Sequence, residues 1–132
     1  MAHTESGDGM KYMDLFKSII DQDQNEIVIC NMEHEILYMN PAAIVNYAKW
    51  GGEKLIGHNL MDCHNPESRD KIKKVLAWFA ESADHNIVHT YYSEKHNEDV
   101  YMVALRAGGE LIGYYEKHEN RDRDDLELYD LR

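Results

Sequence analysis

The chain reads Gly57-His58-Asn59-Leu60-Met61-Asp62-Cys63-His64-Asn65-Pro66-Glu67-Ser68 just before a long amphipathic segment. Asn65 is a good N-cap residue, and Pro66 suits the first helical position because its missing N–H would have no partner there. Apolar residues then recur at the helical period, at Ile72, Val75, Leu76, Phe79 and Ala83. This pattern predicts a helix with one buried face. Cys63 and His64 would lie at its entrance, where a ligand or a metal could be bound.

Five segments rich in β-branched, aromatic and aliphatic residues predict strands. They are Ile27–Cys30, Ile36–Met39, Ile87–Tyr92, Val100–Arg106 and Leu111–His118. Helical spacing predicts three helices, one over 10–22, a short one after Asn40-Pro41 and the long one from Pro66 to about Ser82. This order predicts an α+β domain in which helices gather on one face of a five-stranded antiparallel sheet.

Composition narrows the possible partners. The chain carries 14 basic and 25 acidic residues, a net charge of −11, which argues against binding to nucleic acid or to an anionic membrane surface. The longest apolar run, Val100–Leu105, is far too short to span a membrane, and residues 1–9 do not resemble a secretory signal. We therefore expect a cytoplasmic protein in which Cys30 and Cys63 are reduced thiols.

Three segments occur in an order and at a spacing that suggest a known family: Tyr38–Ala43, Glu53–Asn59 and Gly109–Glu116. Together they resemble the Per-Arnt-Sim (PAS) sensor domain, and the resemblance runs from Ile27 to His118. The Cys-His-x-Pro-x-Ser run at 63–68 is similar to a poorly characterised PAS subgroup, some of whose members adjoin hemerythrin-like domains. The resemblance implies a PAS-like fold with an N-terminal flanking helix, and a role in redox or gas-related signalling.

The resemblance and the helical spacing divide the chain into four parts. We expect a flexible leader at 1–9, an N-terminal flanking helix at 10–24, a PAS-like domain at 25–118 and a charged tail at 119–132. An apolar stripe on the flanking helix is predicted to cover the outer side of the domain. The stripe comprises Tyr12, Leu15, Phe16, Ile19 and Ile20. As in other PAS proteins, this helix would build a homodimer. We expect no effector domain after the short tail, so that an unidentified partner protein or self-association would carry the signal.

PAS domains hold ligands between the inner face of the sheet and the helices, in mostly apolar pockets. Heme b is the first candidate, because heme iron binds imidazole, thiolate or thioether groups. His64 is the first choice for the axial ligand of the iron and Cys63 the second. His58, Phe79 and Met102 complete the predicted binding set. One heme-binding PAS class takes its histidine from inside the long helix, and this chain has none there.

Simpler interpretations stay open beside heme. His64 could bond a carbonyl at the helix entrance, and Cys63 could be a small buried apolar residue. A flavin adduct is disfavoured because Leu60, rather than cysteine, follows Gly57-His58-Asn59, although a noncovalent flavin or another small organic ligand remains open. Zinc at His85 and His89 is disfavoured because residues four apart in a strand lie too far apart for one ion.

The chain lacks a Gly-rich phosphate loop, a nucleophile elbow and an HExxH pair, so we expect no enzymatic activity. The sequence predicts a sensory module that binds a small ligand. The alternative is a ligand-free PAS-like module for dimerisation or protein interaction.

Overall fold

One five-stranded sheet forms the centre of the computed structural model, which describes residues 2–122 and 128–129. The strands are β1 (Glu26–Asn31), β2 (Ile36–Met39), β3 (Ile87–Ser93), β4 (Glu98–Ala107) and β5 (Glu110–Asn120). All neighbouring strands are antiparallel, in the order β2-β1-β5-β4-β3. All five predicted strands are present, and the predicted α+β class is confirmed.

The helices are α1 (Ala2–Gln22), α2 (Pro41–Asn46) and α3 (Pro66–Glu81). Three short 3-10 turns connect α2 to α3, at Ala48–Trp50, Gly52–Leu55 and Leu60–Cys63. The predicted caps are confirmed, because the side chain of Asn40 accepts a hydrogen bond from the amide of Ala43 (3.0 Å), and that of Asn65 accepts one from Ser68 (2.8 Å). Each cap gives a free helical N–H a partner, which fixes the residue where the helix begins.

The core lies between α3 and the inner face of the sheet. The predicted apolar face of α3 is buried at Ile72, Val75, Leu76 and Phe79. It packs against inward side chains of the sheet in one cluster, which includes Val28, Cys30, Met102 and Tyr114. Burial of this apolar surface is the main stabilising contribution to such a domain.

The N-terminal segment differs from the prediction. The sequence predicts a flexible leader over 1–9, but α1 begins at Ala2. No proline interrupts this segment. Gly7 and Gly9 each cost about 1 kcal/mol of helix propensity, which does not end the helix.

The apolar stripe of α1 is also not buried as predicted. Tyr12, Leu15, Phe16 and Ile19 are between 53% and 68% exposed. Contacts at the C-terminal end of α1 hold it to the domain: the hydroxyl of Tyr38 donates to the carboxylate of Asp21, and the Asn40 amide donates to the carbonyl of Ile20 (3.0 Å). The stripe therefore faces solvent in the single chain.

The C-terminal boundary also moves outward from the prediction. β5 continues to Asn120. The Arg121 guanidinium forms a bidentate ion pair with the carboxylate of Asp99, with both N···O distances at 2.8 Å. The folded part therefore extends beyond residue 118. In the charged tail, the spacing of Leu126, Tyr129 and Leu131 predicts a weak helical stripe; Leu126 and Leu131 lie outside the described residues, and Tyr129 is exposed. Among the described residues, no helix combines the length and apolar character needed to cross a bilayer.

Candidate functional site

A cavity of about 630 Å³ lies between the inner face of the sheet, the first half of α3 and the 3-10 turns. Its size is in the usual range for small-molecule sites. Its apolar wall includes Leu55, Ile72, Val100 and Met102, and its polar wall includes Tyr47, His64, Glu116 and His118. The cavity thus combines an apolar lining with a few convergent polar groups.

Strand alternation places two of the polar groups in the cavity. Side chains at every second position of a strand share one face, so Glu116 and His118 point inward together with the fully buried Tyr114. The register sets Glu116 opposite Met102 of β4, and His118 opposite Val100. The inner face of the sheet therefore changes from apolar to charged towards the end of β5.

The loop before α3 brings the third polar group. His64 follows the 3-10 turn Leu60–Cys63 and stands directly before the Asn65 cap. The Arg69 guanidinium fixes this loop, because its Nε donates to the carbonyls of Met61 (2.8 Å) and His64 (2.9 Å). The His64 ring is thereby held beside the end of β5.

We call His64, Glu98, Glu116 and His118 the histidine–glutamate cluster. Nε2 of His64 lies 3.6 Å from Oε2 of Glu116, and Nε2 of His118 lies 3.9 Å from Oε1 of the same carboxylate. Nδ1 of His118 lies 2.9 Å from the carboxylate of Glu98, and its Nε2 lies 3.4 Å from the Tyr47 hydroxyl. One buried carboxylate is thus flanked by two imidazoles.

The pKa values of the cluster follow from this arrangement. Burial alone would raise the pKa of Glu116, but His118 and His64 outweigh it and hold this pKa at about 2. Burial alone would lower the pKa of His118, but Glu116 and Glu98 raise it to about 9. Glu116 raises the pKa of His64 as well, against the effect of burial. The cluster therefore favours a charged carboxylate with protonated imidazoles.

Within the part of the chain that the structure describes, two buried atoms of the cluster have no hydrogen-bond partner: Nδ1 of His64, and Oε2 of Glu116, whose nearest charged contact is Nε2 of His64 at 3.6 Å. An unpaired buried polar atom costs about 1–3 kcal/mol, and each such atom calls for an explanation. Both belong to side chains that line the cavity. A bound molecule with polar groups could supply their partners.

The cluster predicts how the free energy of unfolding depends on pH. The measurement is made with a chelator present, so that no metal ion is bound. A carboxyl with a lowered pKa stabilises the fold above its ordinary value of 4.5, and this contribution is lost as the pH falls from there towards 2. A histidine with a raised pKa stabilises the fold below 6.5, and its contribution is lost as the pH rises towards 9. Stability should therefore peak between about pH 4.5 and 6.5. Glu116→Gln should flatten both sides of this curve in urea unfolding, and should move the pKa of His118 towards 6.5 by NMR.

Glu33→Gln is the matched control for charge, because Glu33 is exposed and lies outside the cluster. This variant should keep the wild-type pH profile. Equal profiles for Glu116→Gln and wild type would show that the cluster does not govern the pH response.

The predicted binding residues divide between the cavity and other places. His64, Cys63 and Met102 line the cavity together. Phe79 does not: it lies fully buried about two helical turns beyond Ile72, whereas the cavity borders the first half of α3. His58 is exposed and does not line the cavity either. Its backbone carbonyl accepts a hydrogen bond from the amide of Ile36 (2.9 Å), which holds the loop against β2.

The sequence interpretation missed Tyr47, Glu116 and His118 as cavity residues. Strand alternation could have indicated Glu116 and His118. Together with Tyr114 they occupy every second position of a predicted strand whose inner face is expected to be buried. Charged residues at inward positions of a strand are unusual enough to indicate a site.

His85 and His89 lie in different surroundings, which disfavours zinc binding by the pair. The His85 ring stacks on Trp78, with 3.8 Å between ring centroids, and its Nδ1 contacts the carbonyl oxygen of Trp78 at 2.7 Å. His89 pairs with Asp99 at 2.8 Å.

No family model and no curated protein matches this sequence. Solved structures do match. A PAS domain of a Colwellia psychrerythraea protein superimposes with a TM-score of 0.61 at 12% identity, over 83% of this chain and 96% of that one. The chain has the PAS fold. A sensory box sensor histidine kinase from Vibrio cholerae matches with a TM-score of 0.54 at 17% identity, over 87% and 96% of the two chains.

A C-terminal domain of a Streptococcus mutans protein is similar as well, with a TM-score of 0.62 at 23% identity, over 83% of this chain and 85% of that one. At such identities the likeness concerns the PAS fold alone. The cavity of this chain lies where a PAS domain was expected to hold a ligand, between the inner sheet face and the helices.

Proposed function

We propose that this PAS-fold chain is a sensory module that binds a small ligand in its inner cavity, with heme b as the first candidate. The observation that carries the proposal is the buried Nδ1 of His64, which has no hydrogen-bond partner among the described residues, on a side chain that lines a cavity of about 630 Å³. The similarity to a sensor histidine kinase from Vibrio cholerae supports a sensory role.

The surroundings of His64 suit an axial ligand of heme iron. A metal-binding histidine commonly directs its other ring nitrogen towards a carboxylate, which orients the ring and strengthens the ligand. Nε2 of His64 faces the carboxylate of Glu116 at 3.6 Å, and Nδ1 has no partner. Heme would supply an iron centre that responds to redox state or to a diatomic gas.

Cys63 fits this role less well. Cys63 also lines the cavity, but it is an exposed residue, and its partial desolvation together with Asp62 and Glu116 raises its pKa and disfavours the thiolate that binds iron. Met102 lines the cavity from the sheet, where it is buried, and offers a thioether. A noncovalent flavin or another small organic ligand would use the same cavity through its polar wall.

Heme titration followed by absorption spectroscopy tests the proposal. Wild-type protein should shift the Soret band with one heme bound per chain, and His64→Ala should weaken binding at least about tenfold, because it removes the axial nitrogen. Cys63→Ala should have a smaller effect.

His58→Ala is the control, because this histidine is exposed and outside the cavity. It should bind heme as wild type does. No Soret shift in wild type, or a shift that His64→Ala and Cys63→Ala together leave unchanged, would exclude heme held by these residues.

A ligand-free interaction module is the second candidate. It is favoured by the exposed stripe of α1, in which Tyr12, Leu15, Phe16 and Ile19 face solvent. Apolar side chains grouped on one helix face commonly mark a protein interface, and the stripe would pair with a second copy of α1 in a homodimer. A wild-type protein that binds no heme, carries no small molecule in native mass spectrometry and sediments as a dimer would support this candidate over the first.

A further inference from the structure

We propose that Glu26, Glu98 and His118 form a binding site for a divalent transition-metal ion, such as Zn²⁺, Co²⁺ or Mn²⁺. One potential ligand atom from each of these residues lies within 4.8 Å of the other two. The site is separate from the proposed heme ligands, because it uses neither His64 nor Cys63.

The register of the sheet holds the three residues in place. Glu26 of β1 is the direct partner of His118 on β5, so their side chains share the inner face of the sheet. Glu98 of β4 lies two positions before Val100, which is the partner of His118 on the other side. Three adjacent strands thus each contribute one ligand, and rigid elements of this kind position ligands better than loops do.

The His118–Glu98 contact has the dimensions of a coordination edge. Nδ1 of His118 and Oε1 of Glu98 are 2.9 Å apart. Two atoms at that separation can both bind one ion at about 2.0–2.2 Å, so a metal could take the place of the proton between them. The opposite ring nitrogen of His118 lies near the Tyr47 hydroxyl and Glu116, which would orient the imidazole from behind.

The charges at this end of the sheet also favour a cation. Three carboxylates, those of Glu26, Glu98 and Glu116, lie on the inner face near two imidazoles, and Glu26 and Glu116 are each 8% exposed. The Glu116 carboxylate adjoins the proposed site, because its Oε1 lies 3.9 Å from Nε2 of His118. A divalent ion would neutralise the two negative charges of Glu26 and Glu98, and His118 would bind it in the neutral form. Two carboxylates and one imidazole suit borderline metals better than Ca²⁺, which takes six to eight oxygen ligands.

Titration of the chelator-treated full chain with Co²⁺ tests this proposal. We expect one tightly bound ion per chain, a visible d–d absorption and competition by Zn²⁺. Glu98→Gln should weaken binding at least about tenfold, because it replaces a charged ligand with a neutral amide of the same shape.

His89→Gln is the matched control, because it removes another histidine that faces a carboxylate, that of Asp99, outside the proposed site. It should bind Co²⁺ as wild type does. In wild type, diamagnetic Zn²⁺ should shift the ring resonances of His118 in NMR spectra much more than those of His89, and this measurement does not depend on the folding of any variant. Absence of tight binding, or binding that His89→Gln abolishes and Glu98→Gln preserves, would overturn the proposal.

Discussion

Asn40→Ala should lower the free energy of unfolding by about 3–4 kcal/mol, because one buried side chain satisfies several backbone groups at once. Its carbonyl oxygen accepts from the amides of Ile27 and Ala43, both at 3.0 Å. Its amide donates to the carbonyls of Ile20 (3.0 Å) and Asn25 (2.9 Å). Alanine removes the cap of α2 and leaves buried groups without partners. Urea unfolding measures the loss.

Asn65→Ala provides the matched control. Asn65 caps α3 in the same way through the amide of Ser68, but it is exposed, and its side chain makes no other hydrogen bond to a described residue. Its loss should cost about 1 kcal/mol, the usual value of an N-cap. Equal losses at Asn40 and Asn65 would show that capping alone explains the role of Asn40.

Phe79→Ala should destabilise the fold by about 3–5 kcal/mol, the range found when a buried aromatic side chain is truncated. Phe79 is 0% exposed and packs in the cluster between α3 and the sheet. The neighbouring Trp78 is 37% exposed, so Trp78→Ala should cost considerably less. Thermal or urea unfolding of both variants gives the comparison.

The Phe79 variant also tests where the ligand site lies. Phe79 does not line the cavity, so the Phe79→Ala protein should keep its wild-type affinity for heme under conditions in which it is folded. A selective loss of heme binding with little loss of stability would place Phe79 in the binding site and show that heme does not bind in the cavity next to the first half of α3.

Local sequence signals predicted most of the fold. The Asn-Pro pairs at 40–41 and 65–66 marked helix starts because capping depends on a few adjacent residues. The strands were recognisable because their apolar residues are buried against one continuous core. The exposed face of α1 was less predictable. An apolar stripe indicates that a helix face is buried against another surface, but it does not show whether that surface belongs to the same chain.

The candidate site was predictable in part for a similar reason. His64 and Cys63 stood out because they adjoin a helix start. Glu116 and His118 were not predicted because they form a site only through strand register. The register places them beside Glu26, Val100 and Met102 from distant parts of the chain. The sequence could not locate Phe79 relative to the cavity, because helical periodicity shows which face is buried but not which stretch of that face borders a cavity.

The attachment of α1 at its C-terminal end makes the helix a lever arm. It is 21 residues long, so its far end lies about 30 Å from the anchor at Asp21 and Asn40. A tilt of roughly 10° at that anchor would sweep the tip through about 5 Å. Asn40 also bonds to Ile27 in β1 and to Asn25 just before it, so a slight shift of this edge of the sheet would be amplified into a displacement of several ångströms at the far end of α1.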